Sequence, residues 1–321
     1  MTRVAVLKGG RSLEREVSLR SGARVEDALE RLGHEVVAVD VGGDLVARLR
    51  TERPDVAFVA LHGRDGEDGT VQELLELLDV PYTGSGVSAC IRCMDKVLAK
   101  HTMRDHGIPT PDFHAFNETA FKELGAAGAL PEIEARLEFP IVVKPAAQGS
   151  ALGIKFARTP ADVPTALVAA FSYDQKVLLE RHVEGRDLAV SVVDLPGDGP
   201  TALPVVEAVP RGEDFYDFEA RYEIGRSEFV CPADLPEDVA AEAQRLALEV
   251  YRLFGCYGFA RVDLMLDRAS GALSVLEANA IPWLTETSLL PQAAEAHGLG
   301  FDALVERLIE LATPLRRSPP A

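Results

Sequence analysis

Short apolar runs alternate with amphipathic stretches through the first third of the chain. Residues 14–32 repeat apolar positions at helical spacing, and residues 72–78 form a second predicted helix. The alternation of strands and helices predicts an open parallel sheet covered by helices. In such a sheet the ligand crevice lies at the carboxyl ends of the strands, where polar loops occupy residues 9–13 and 62–69. Three runs have the length of buried strands: residues 4–7, 35–40 and 55–61.

The pattern changes in the middle of the chain. One long helix is predicted at residues 87–106, ended by a glycine and two prolines, and we place a domain boundary near residue 95. A buried strand at residues 141–144 leads into a loop of small residues at 146–153. The other predicted elements are short strands at 81–84 and 177–180, strands at 187–193, 202–209 and 226–230, a helix at 237–254, and a strand pair at 260–266 and 273–279.

Composition narrows the class of protein. The chain has 321 residues, of which 47% are apolar and 26% charged. This is the ordinary globular range, and at roughly 150 residues per domain it suggests two or three domains. The 33 basic residues against 51 acidic ones give a net charge of −18. Because phosphate contacts require cations, nucleic acid and anionic membranes are not expected as main partners.

Cysteine usage and the N-terminus predict a cytoplasmic protein. No signal peptide precedes the first predicted strand, and no apolar stretch approaches the ~20 residues of a spanning helix. Four cysteines in a chain of this length do not form a disulfide framework. Cys90 and Cys93 lie three residues apart, on one face of a helix, and no second ligand pair with matching spacing accompanies them. We therefore interpret them as inert thiols, and a redox pair is the alternative.

The last predicted strand pair carries the strongest local signal. A turn near residue 270 places Asp263 opposite Glu277, and facing like charges destabilise a sheet. A divalent cation between them reverses that effect, and two carboxylates with the amide of Asn279 suit Mg²⁺. The alternative is a solvated strand face in which Arg261 neutralises the acids. Alternation defines the two faces: Arg261, Asp263 and Met265 on the first strand, and Val275, Glu277 and Asn279 on the second.

Lys144 ends an apolar strand and precedes the small-residue loop. A lysine followed by Gly149, Ser150 and Gly153 can bring a cation and backbone N–H groups to phosphate oxygens. The arrangement is not a P-loop, since the lysine precedes the glycines, and the chain lacks the dinucleotide fingerprint. The alternative is an ordinary surface turn.

Three further polar sites are ambiguous by themselves. Glu180 and Arg181 end a strand, with Asp187 further on, and they suit a nucleotide's base and ribose as well as plain surface charge. Glu14 lies at the start of a predicted helix, where the helix dipole favours acids. It could equally bind an ammonium group at the mouth of the crevice. His62 is a loop residue or a polar group at a strand end.

In combination, these segments resemble the D-alanine–D-alanine ligase family of the ATP-grasp superfamily. The resemblance spans nearly the whole chain, and its motifs occur in the family's order. They are Gly9-Gly10 with Glu14-Arg15-Glu16-Val17-Ser18-Leu19; Leu61-His62-Gly63-Arg64 with Gly66-Glu67-Asp68-Gly69; Tyr82-Thr83-Gly84-Ser85-Gly86; Met94-Asp95-Lys96; Val143-Lys144-Pro145 with Gly149-Ser150; Phe215-Tyr216-Asp217-Phe218-Glu219-Ala220-Arg221-Tyr222; Arg261-Val262-Asp263; Glu277-Ala278-Asn279; and Ser288-Leu289.

The resemblance implies an α/β chain with an N-terminal open parallel-sheet domain and an ATP-grasp fold that has α+β character in its ATP-binding part. Three domains are expected, at residues 1–95, 96–183 and 184–321, with ATP between the last two. The implied activity is ATP-dependent ligation of two D-alanines through an acyl phosphate, for peptidoglycan precursor synthesis. The implied assembly is a homodimer.

The resemblance also implies a role for each site residue. Two Mg²⁺ ions, for which Mn²⁺ can substitute, would be held by Asp263, Glu277 and Asn279. On the nucleotide side, Lys96, Lys144 and Arg221 would bind phosphates, Glu180, Arg181 and Val183 would border the adenine, and Asp187 the ribose. On the amino-acid side, Glu14 would bind the first ammonium and form a triad with Ser150 and Tyr222, Arg261 would face the oxyanion, and His62, Trp283, Ser288 and Leu289 would line the substrate sites.

Four departures from the family pattern bear on substrate identity. Arg221 replaces a lysine, Ala151 a serine and Asp187 a glutamate. Trp283 replaces a glycine and is the chain's only tryptophan. The alternatives are therefore an ATP-grasp ligase that accepts another D-amino acid or a hydroxy acid, or a nucleotide-binding protein without turnover. A dehydrogenase is disfavoured because the dinucleotide fingerprint is missing.

Overall fold

The computed structural model describes residues 1–125, 128, 130–210 and 227–312. The first part of the chain forms β1 (Arg3–Lys8), α1 (Arg15–Arg31), β2 (Glu35–Asp40), α2 (Leu45–Glu52), β3 (Val56–Val59) and α3 (Thr70–Leu77). The strands pair in parallel in the order β2-β1-β3. The predicted parallel sheet is confirmed. The predicted strand at 81–84 is only a single bridge between Ala57 and Tyr82.

The single helix predicted at residues 87–106 was wrong. The structure has two helices, α4 (Val87–Met94) and α5 (Lys96–Asp105). Asp95 separates them with extended backbone angles, and its carboxylate accepts hydrogen bonds from the N–H groups of Val97 and Leu98. An aspartate that can cap a new helix competes with continuation of the old one. The break matters because it makes Lys96 the first residue of α5.

The middle of the chain builds a small antiparallel sheet with its own core. Its elements are β4 (Phe113–Asn117), α6 (Glu118–Lys122), α7 (Leu130–Glu134), β5 (Ile141–Pro145), β6 (Lys155–Ala157), α8 (Val163–Phe171) and β7 (Lys176–Arg181). The strand order is β4-β7-β5-β6. Ile141, Val143, Leu167 and Leu179 belong to the core between this sheet and its helices. Lys144 and Glu180 are each the next-to-last residue of their strands, β5 and β7, which pair antiparallel.

The last part of the chain builds a larger antiparallel sheet. Its elements are β8 (Gly185–Leu195), β9 (Gly199–Ala202), β10 (Val206–Pro210), β11 (Ser227–Val230), α9 (Glu237–Phe254), β12 (Phe259–Asp267), β13 (Leu273–Asn279), α10 (Leu289–Ala296) and α11 (Phe301–Leu311). The strand order is β11-β10-β8-β12-β13, with β9 beside β8. Its core is continuous with that of the parallel sheet. The predicted helix at 237–254 is confirmed, and its buried stripe includes Leu246, Val250 and Phe254.

Two strand predictions in this sheet were wrong in detail. The strand predicted at 202–209 is divided into β9 and β10, because Pro204 has no N–H to donate to a sheet ladder. On β13, Val275 does not share a face with Glu277. The register shifts after the Asp263–Glu277 pair, so that Val275 pairs with Leu264 in the core. The extra residue, Leu276, forms a bulge that reorients the strand next to the predicted metal ligands.

All four cysteines are free, and Cys90 and Cys93 are buried on α4. The sulfur of Cys93 lies 3.7 Å from that of Cys256. Burial raises the pKa of the Cys90 thiol, and a hydrogen bond with Cys256 together with burial raises that of Cys93. A buried thiol with a raised pKa is a poor nucleophile, which agrees with the interpretation of Cys90 and Cys93 as inert. Within the described ranges, none of the helices has the length and apolar character needed to cross a membrane.

Candidate active site

Strands β12 and β13 bring the predicted metal ligands together. Asp263 and Glu277 are directly paired, as are Arg261 and Asn279, so the expected juxtaposition is confirmed. The guanidinium of Arg261 donates from Nε to Oδ1 of Asp263 (2.7 Å) and from Nη2 to Oδ2 (2.8 Å). The amide of Asn279 donates to Oδ2 of Asp263 at 3.2 Å. The carboxylate of Asp263 is thus held in place by its neighbours on the same pair of strands.

Lys96 connects three parts of the site. Its Nζ lies 3.0 Å from Oε2 of Glu277 on β13 and donates to the carbonyl of Gln148 at 2.8 Å. Although burial opposes ionisation, Lys96 and Lys144 lower the pKa of Glu277 to about 2. Glu277 is therefore a carboxylate at neutral pH. Because Gln148 lies in the small-residue loop, one buried ammonium ties that loop to the predicted metal ligands.

A buried cluster of two lysines and one glutamate lies between α5 and the central sheet; we call Lys100, Thr110, Lys144 and Glu180 the Glu180 cluster. Nζ of Lys144 lies 2.7 Å from Oε1 of Glu180, and Nζ of Lys100 contacts Oε2. Lys100 also donates to Oγ1 of Thr110 at 2.6 Å. Burial lowers the pKa of Lys100 to about 8. The pKa of Glu180 is lowered despite burial, because both ammonium groups contact it.

Glu14 lies at the N-terminal end of α1, where it meets the small-residue loop. The hydroxyl of Ser150 donates to Oε1 of Glu14. The other oxygen, Oε2, is buried and accepts no hydrogen bond within the described residues. The backbone approaches so closely that a Cβ on Gly63 would lie 2.3 Å from Oε2, and one on Gly149 2.8 Å. A buried acceptor without a donor is the feature that an ammonium ligand would satisfy.

A second carboxyl group and a histidine lie beside Glu14; we call Glu14, His62 and Glu67 the Glu14 cluster. The ring of His62 contacts Oε1 of Glu67 at 3.3 Å and Oγ of Ser21 at 3.0 Å. Burial lowers the pKa of His62 to about 4, so its ring is neutral. Burial and the nearby Glu67 raise the pKa of Glu14 to about 8. Burial also raises the pKa of Glu67 to about 7.

The segment at residues 281–288 forms the wall opposite His62. The ring of Trp283 lies 6.1 Å from the His62 ring, centroid to centroid, at an interplanar angle of 52°. Ser288 is buried, and its Oγ accepts from the N–H of Thr285 at 3.0 Å and shares a 2.7 Å hydrogen bond with Oγ1 of Thr285. Leu289 begins α10 directly after it. The predicted substrate residues His62, Trp283 and Ser288 therefore lie in one region.

The predicted nucleotide residues beyond Glu180 follow β7. Arg181 ends that strand, and Val183 is buried in the connection to β8. Asp187 lies on β8, paired with Met265 of β12 and Ala208 of β10. Arg221 and Tyr222 lie outside the described residues, as does the whole predicted motif from Phe215 to Tyr222.

Lys100 and Glu67 were not predicted as site residues, although both lie in the site. Lys100 is four positions after Lys96, so the two share one face of α5, and this spacing was the available signal. Glu67 belongs to a quoted motif but was given no role. Its signal was the spacing of five residues from His62 within a glycine-rich loop. Neither signal reveals burial, which depends on how the helices and sheets pack.

Known proteins resemble the chain over almost its full length. The family model described as "D-ala D-ala ligase C-terminus" matches residues 102–310, and "D-ala D-ala ligase N-terminus" matches residues 43–85. The D-alanine–D-alanine ligase of Syntrophotalea carbinolica is 45% identical over 96% of this chain and 95% of its own length. The chain belongs to the D-alanine–D-alanine ligase family. The ligase of Pelotomaculum thermopropionicum is 42% identical, with 97% and 96% covered.

Solved structures of the family share the fold. A crystal structure of the D-alanine–D-alanine ligase from Bacillus anthracis complexed with ATP superimposes with a TM-score of 0.80. It is 30% identical to this chain, and the alignment covers 97% of each protein. The ATP-grasp class predicted from the sequence is therefore confirmed. Membership in the family also agrees with the geometry around Lys96, where the small-residue loop meets the acids of β12 and β13.

Proposed function

We propose that this protein is an ATP-dependent D-alanine–D-alanine ligase, which forms a C–N bond between two D-alanines for peptidoglycan precursor synthesis. The observation that carries the proposal is the pair of contacts made by Lys96, to Glu277 and to the carbonyl of Gln148. Through them the predicted phosphate and metal residues share one site with the loop whose Ser150 contacts Glu14. The near full-length identity to curated ligases supports the same reaction.

The amino-acid side of this site suits a D-alanine. The unmatched Oε2 of Glu14 is an acceptor for the substrate ammonium, and Ser150 fixes the orientation of the carboxyl group by holding Oε1. Ser288 and Leu289, at the start of α10, are proposed to bind the carboxylate of the second D-alanine. His62 and Trp283 are proposed to border the first. Tyr222 completes the proposed triad with Glu14 and Ser150.

The nucleotide side supplies positive charge. A carboxylate is a poor acyl donor, so the first D-alanine is proposed to react as an acyl phosphate. Lys96 and Lys144 offset the negative charge of the transferring phosphoryl group, and we propose that Arg221 assists them. Arg261, oriented by its two hydrogen bonds to Asp263, stabilises the oxyanion that forms when the second amine attacks. Glu180, Arg181 and Val183 are proposed to border the adenine, and Asp187 the ribose.

Two Mg²⁺ ions, or Mn²⁺ in their place, are part of the proposal. The donor set of Asp263, Glu277 and Asn279 consists of hard oxygen ligands on paired strands, and the low pKa of Glu277 keeps it ionised. In the described part of the chain, no group of three or more His, Cys, Asp or Glu side chains could hold a metal. The proposed set instead combines two carboxylates with an amide. A bound ion would neutralise charge on the phosphoryl oxygens.

The finer organisation is also proposed. We place the domains at residues 1–95, 96–183 and 184–321, in accord with the separate core of the central sheet. A homodimer follows from the family resemblance. A cytoplasmic location fits the four free cysteines, since thiols persist in reducing compartments.

Coupled ADP release with D-alanine, L-alanine and D-lactate, together with the mass of the product, tests the function. We expect release that depends on D-alanine and a product of the mass of D-alanyl-D-alanine. Asp263→Ala and Glu277→Ala should abolish turnover, because each removes a proposed metal ligand. Arg245→Ala, on the exposed face of α9, is the control that should retain full activity. Turnover with D-lactate in place of the second D-alanine would favour the alternative acceptor instead.

A further inference from the structure

Arg24 on α1 reaches across to the segment that carries Trp283 and Ser288. Its Nη1 donates to the carbonyl of Leu284 at 3.0 Å and to the carbonyl of Thr285 at 2.9 Å. The guanidinium carbon lies 3.7 Å from the centroid of the Phe301 ring at the start of α11. The aromatic face fixes the plane of the guanidinium, so its donors are aimed at the two carbonyls.

The carbonyl held by Arg24 belongs to the same turn as Ser288. The backbone N–H of Ser288 donates to the carbonyl of Thr285 at 3.1 Å. In return, the N–H and hydroxyl of Thr285 contact Oγ of Ser288. A displacement of Thr285 therefore moves the hydroxyl of Ser288 directly. No intervening side chain lies between the Arg24 guanidinium and this turn.

A second residue of α1, one helical turn before Arg24, also contacts the 281–288 segment. Oγ of Ser21 accepts a hydrogen bond from the N–H of Leu284 at 3.3 Å and contacts Nε2 of His62 at 3.0 Å. Leu284 is thus held at its N–H by Ser21 and at its carbonyl by Arg24. Since α1 also carries Glu14 just before its first residue, this helix connects both substrate regions of the site.

We propose that Arg24 is a positioning residue for substrate recognition: it fixes the 281–288 segment against α1, and so sets Ser288 and Trp283 relative to Glu14. The proposal rests on the proposed function for the identity of the substrate, the second D-alanine. It does not require Arg24 to touch that substrate. Its chemical basis is the two charge-assisted hydrogen bonds to consecutive carbonyls, which a neutral side chain cannot replace.

Arg24→Met removes both donors and keeps an apolar stem against Phe301. We expect the KM for the second D-alanine, fitted from initial rates over a wide concentration range, to rise about tenfold. The KM for ATP and kcat should change less than about twofold, because Lys96 and Lys144 are untouched. Trp283 is the only tryptophan, so its emission reports on the segment without substrate. Emission should shift to the red, and quenching by acrylamide should increase.

Arg31→Met is the matched control. Arg31 lies on the same helix and pairs with Asp302 of α11 at 2.9 and 2.6 Å, but that pair does not include the 281–288 segment. It should leave the D-alanine KM and Trp283 emission unchanged. Arg24→Lys keeps a charge but shortens the reach and loses the planar fork, so it should give intermediate values.

The proposal is overturned if Arg24→Met matches Arg31→Met in both D-alanine KM and Trp283 quenching. If Arg24→Met fails to fold, Arg24→Lys decides: intermediate values support the proposal, and wild-type values in both measurements contradict it. Failure of the proposed function is distinguishable, because the wild type would then release no ADP with D-alanine. The emission and quenching of Trp283 would still report whether Arg24 holds the segment.

Discussion

The Glu180 cluster and the Glu14 cluster both bury a carboxyl group almost completely, but their charges differ. Glu180 contacts two lysine ammonium groups, and its pKa falls below the usual value despite burial. Glu14 faces another carboxyl group, Glu67, and burial raises its pKa to about 8. Burial alone therefore does not decide ionisation, because the neighbouring charges can reverse its effect.

The difference matches the two kinds of ligand proposed for the site. The Glu180 cluster has two cations for one anion, and this excess of positive charge suits a polyphosphate. The Glu14 cluster has two acids beside a neutral histidine, and this suits an ammonium group. Substitutions that alter the charge balance of either cluster test this difference.

Loss of the Glu180 carboxylate should have the largest effect. Glu180→Ala leaves Lys100 and Lys144 buried without their anion, so the free energy of unfolding should fall by about 3–5 kcal/mol. Urea unfolding at neutral pH measures the change. The double variant Lys100→Met/Glu180→Gln removes one charge of each sign and should recover most of the loss. If the double variant is no more stable than Glu180→Ala, the charge-balance explanation is wrong.

Removal of Lys144 should affect the nucleotide more than the fold. Lys144→Met leaves Glu180 paired with Lys100 and brings the cluster from one excess positive charge to neutral, but a proposed phosphate contact is lost. We expect ATP to bind about 10- to 100-fold more weakly, with the D-alanine KM unchanged. Isothermal titration calorimetry with ATP checks this. Unchanged ATP affinity would remove Lys144 from the nucleotide site.

The pH dependence of stability should have opposite signs in the two clusters. The pKa of Glu14 is higher when folded (about 8) than the ordinary value of 4.5. The stability that its proton provides is full at low pH and is lost as pH rises through about 8. Relative to Glu14→Gln, the wild type should therefore lose about 2 kcal/mol between about pH 6 and pH 7.5. Glu180 has a lowered pKa, so its contribution should instead be lost as pH falls.

Unfolding of the wild type, Glu14→Gln and Glu180→Gln from about pH 8 to below the ordinary glutamate pKa of 4.5 separates the two signs, because the Glu180 contribution is lost only below that value. Glu14→Gln should decline less steeply than the wild type, and the difference between the two curves isolates the Glu14 contribution from those of Glu67 and His62. Parallel curves for wild type and Glu14→Gln would show that the carboxyl group is already ionised at low pH.

An exposed ion-pair network provides the smallest expected effect. Arg245 on α9 contacts Glu242 and Glu249 at 2.6 and 2.5 Å, but all three side chains are about half exposed. Water and salt screen such pairs, so Arg245→Ala should change stability by less than about 0.5 kcal/mol. Thermal unfolding in low and high salt measures it. If Arg245→Ala lowered the free energy of unfolding as much as Glu180→Ala, burial would not explain why one cluster contributes more to stability than the other.

Local patterns in the sequence predicted much of the fold and part of the candidate site. Strand length and helical spacing gave the parallel sheet and α9, and alternation with a short turn placed Asp263 opposite Glu277. These features depend on residues near one another in sequence. The break at Asp95 was missed because helical periodicity continues through it, whereas its capping side chain is decided by competition with the next helix.

The features that the sequence did not reveal depend on distant parts of the chain. Lys100 looks like a surface lysine until β7 brings Glu180 against it. Arg24 and Leu284 are 260 positions apart, and nothing in either segment indicates their contact. The bulge at Leu276 is a change of register that alternation alone cannot predict. Each of these is settled by packing between elements, which local propensity does not determine.

Proton release on D-alanine binding shows whether the Glu14 carboxyl group receives the substrate ammonium. At pH 7 the Glu14 carboxyl group should be largely protonated, and an arriving ammonium should lower its pKa and displace the proton. Calorimetric titration in buffers of different ionisation enthalpy counts the protons. We expect release of nearly one proton per D-alanine bound, abolished by Glu14→Gln and retained by Lys144→Met. Binding of D-alanine to the wild type with no proton release would contradict it.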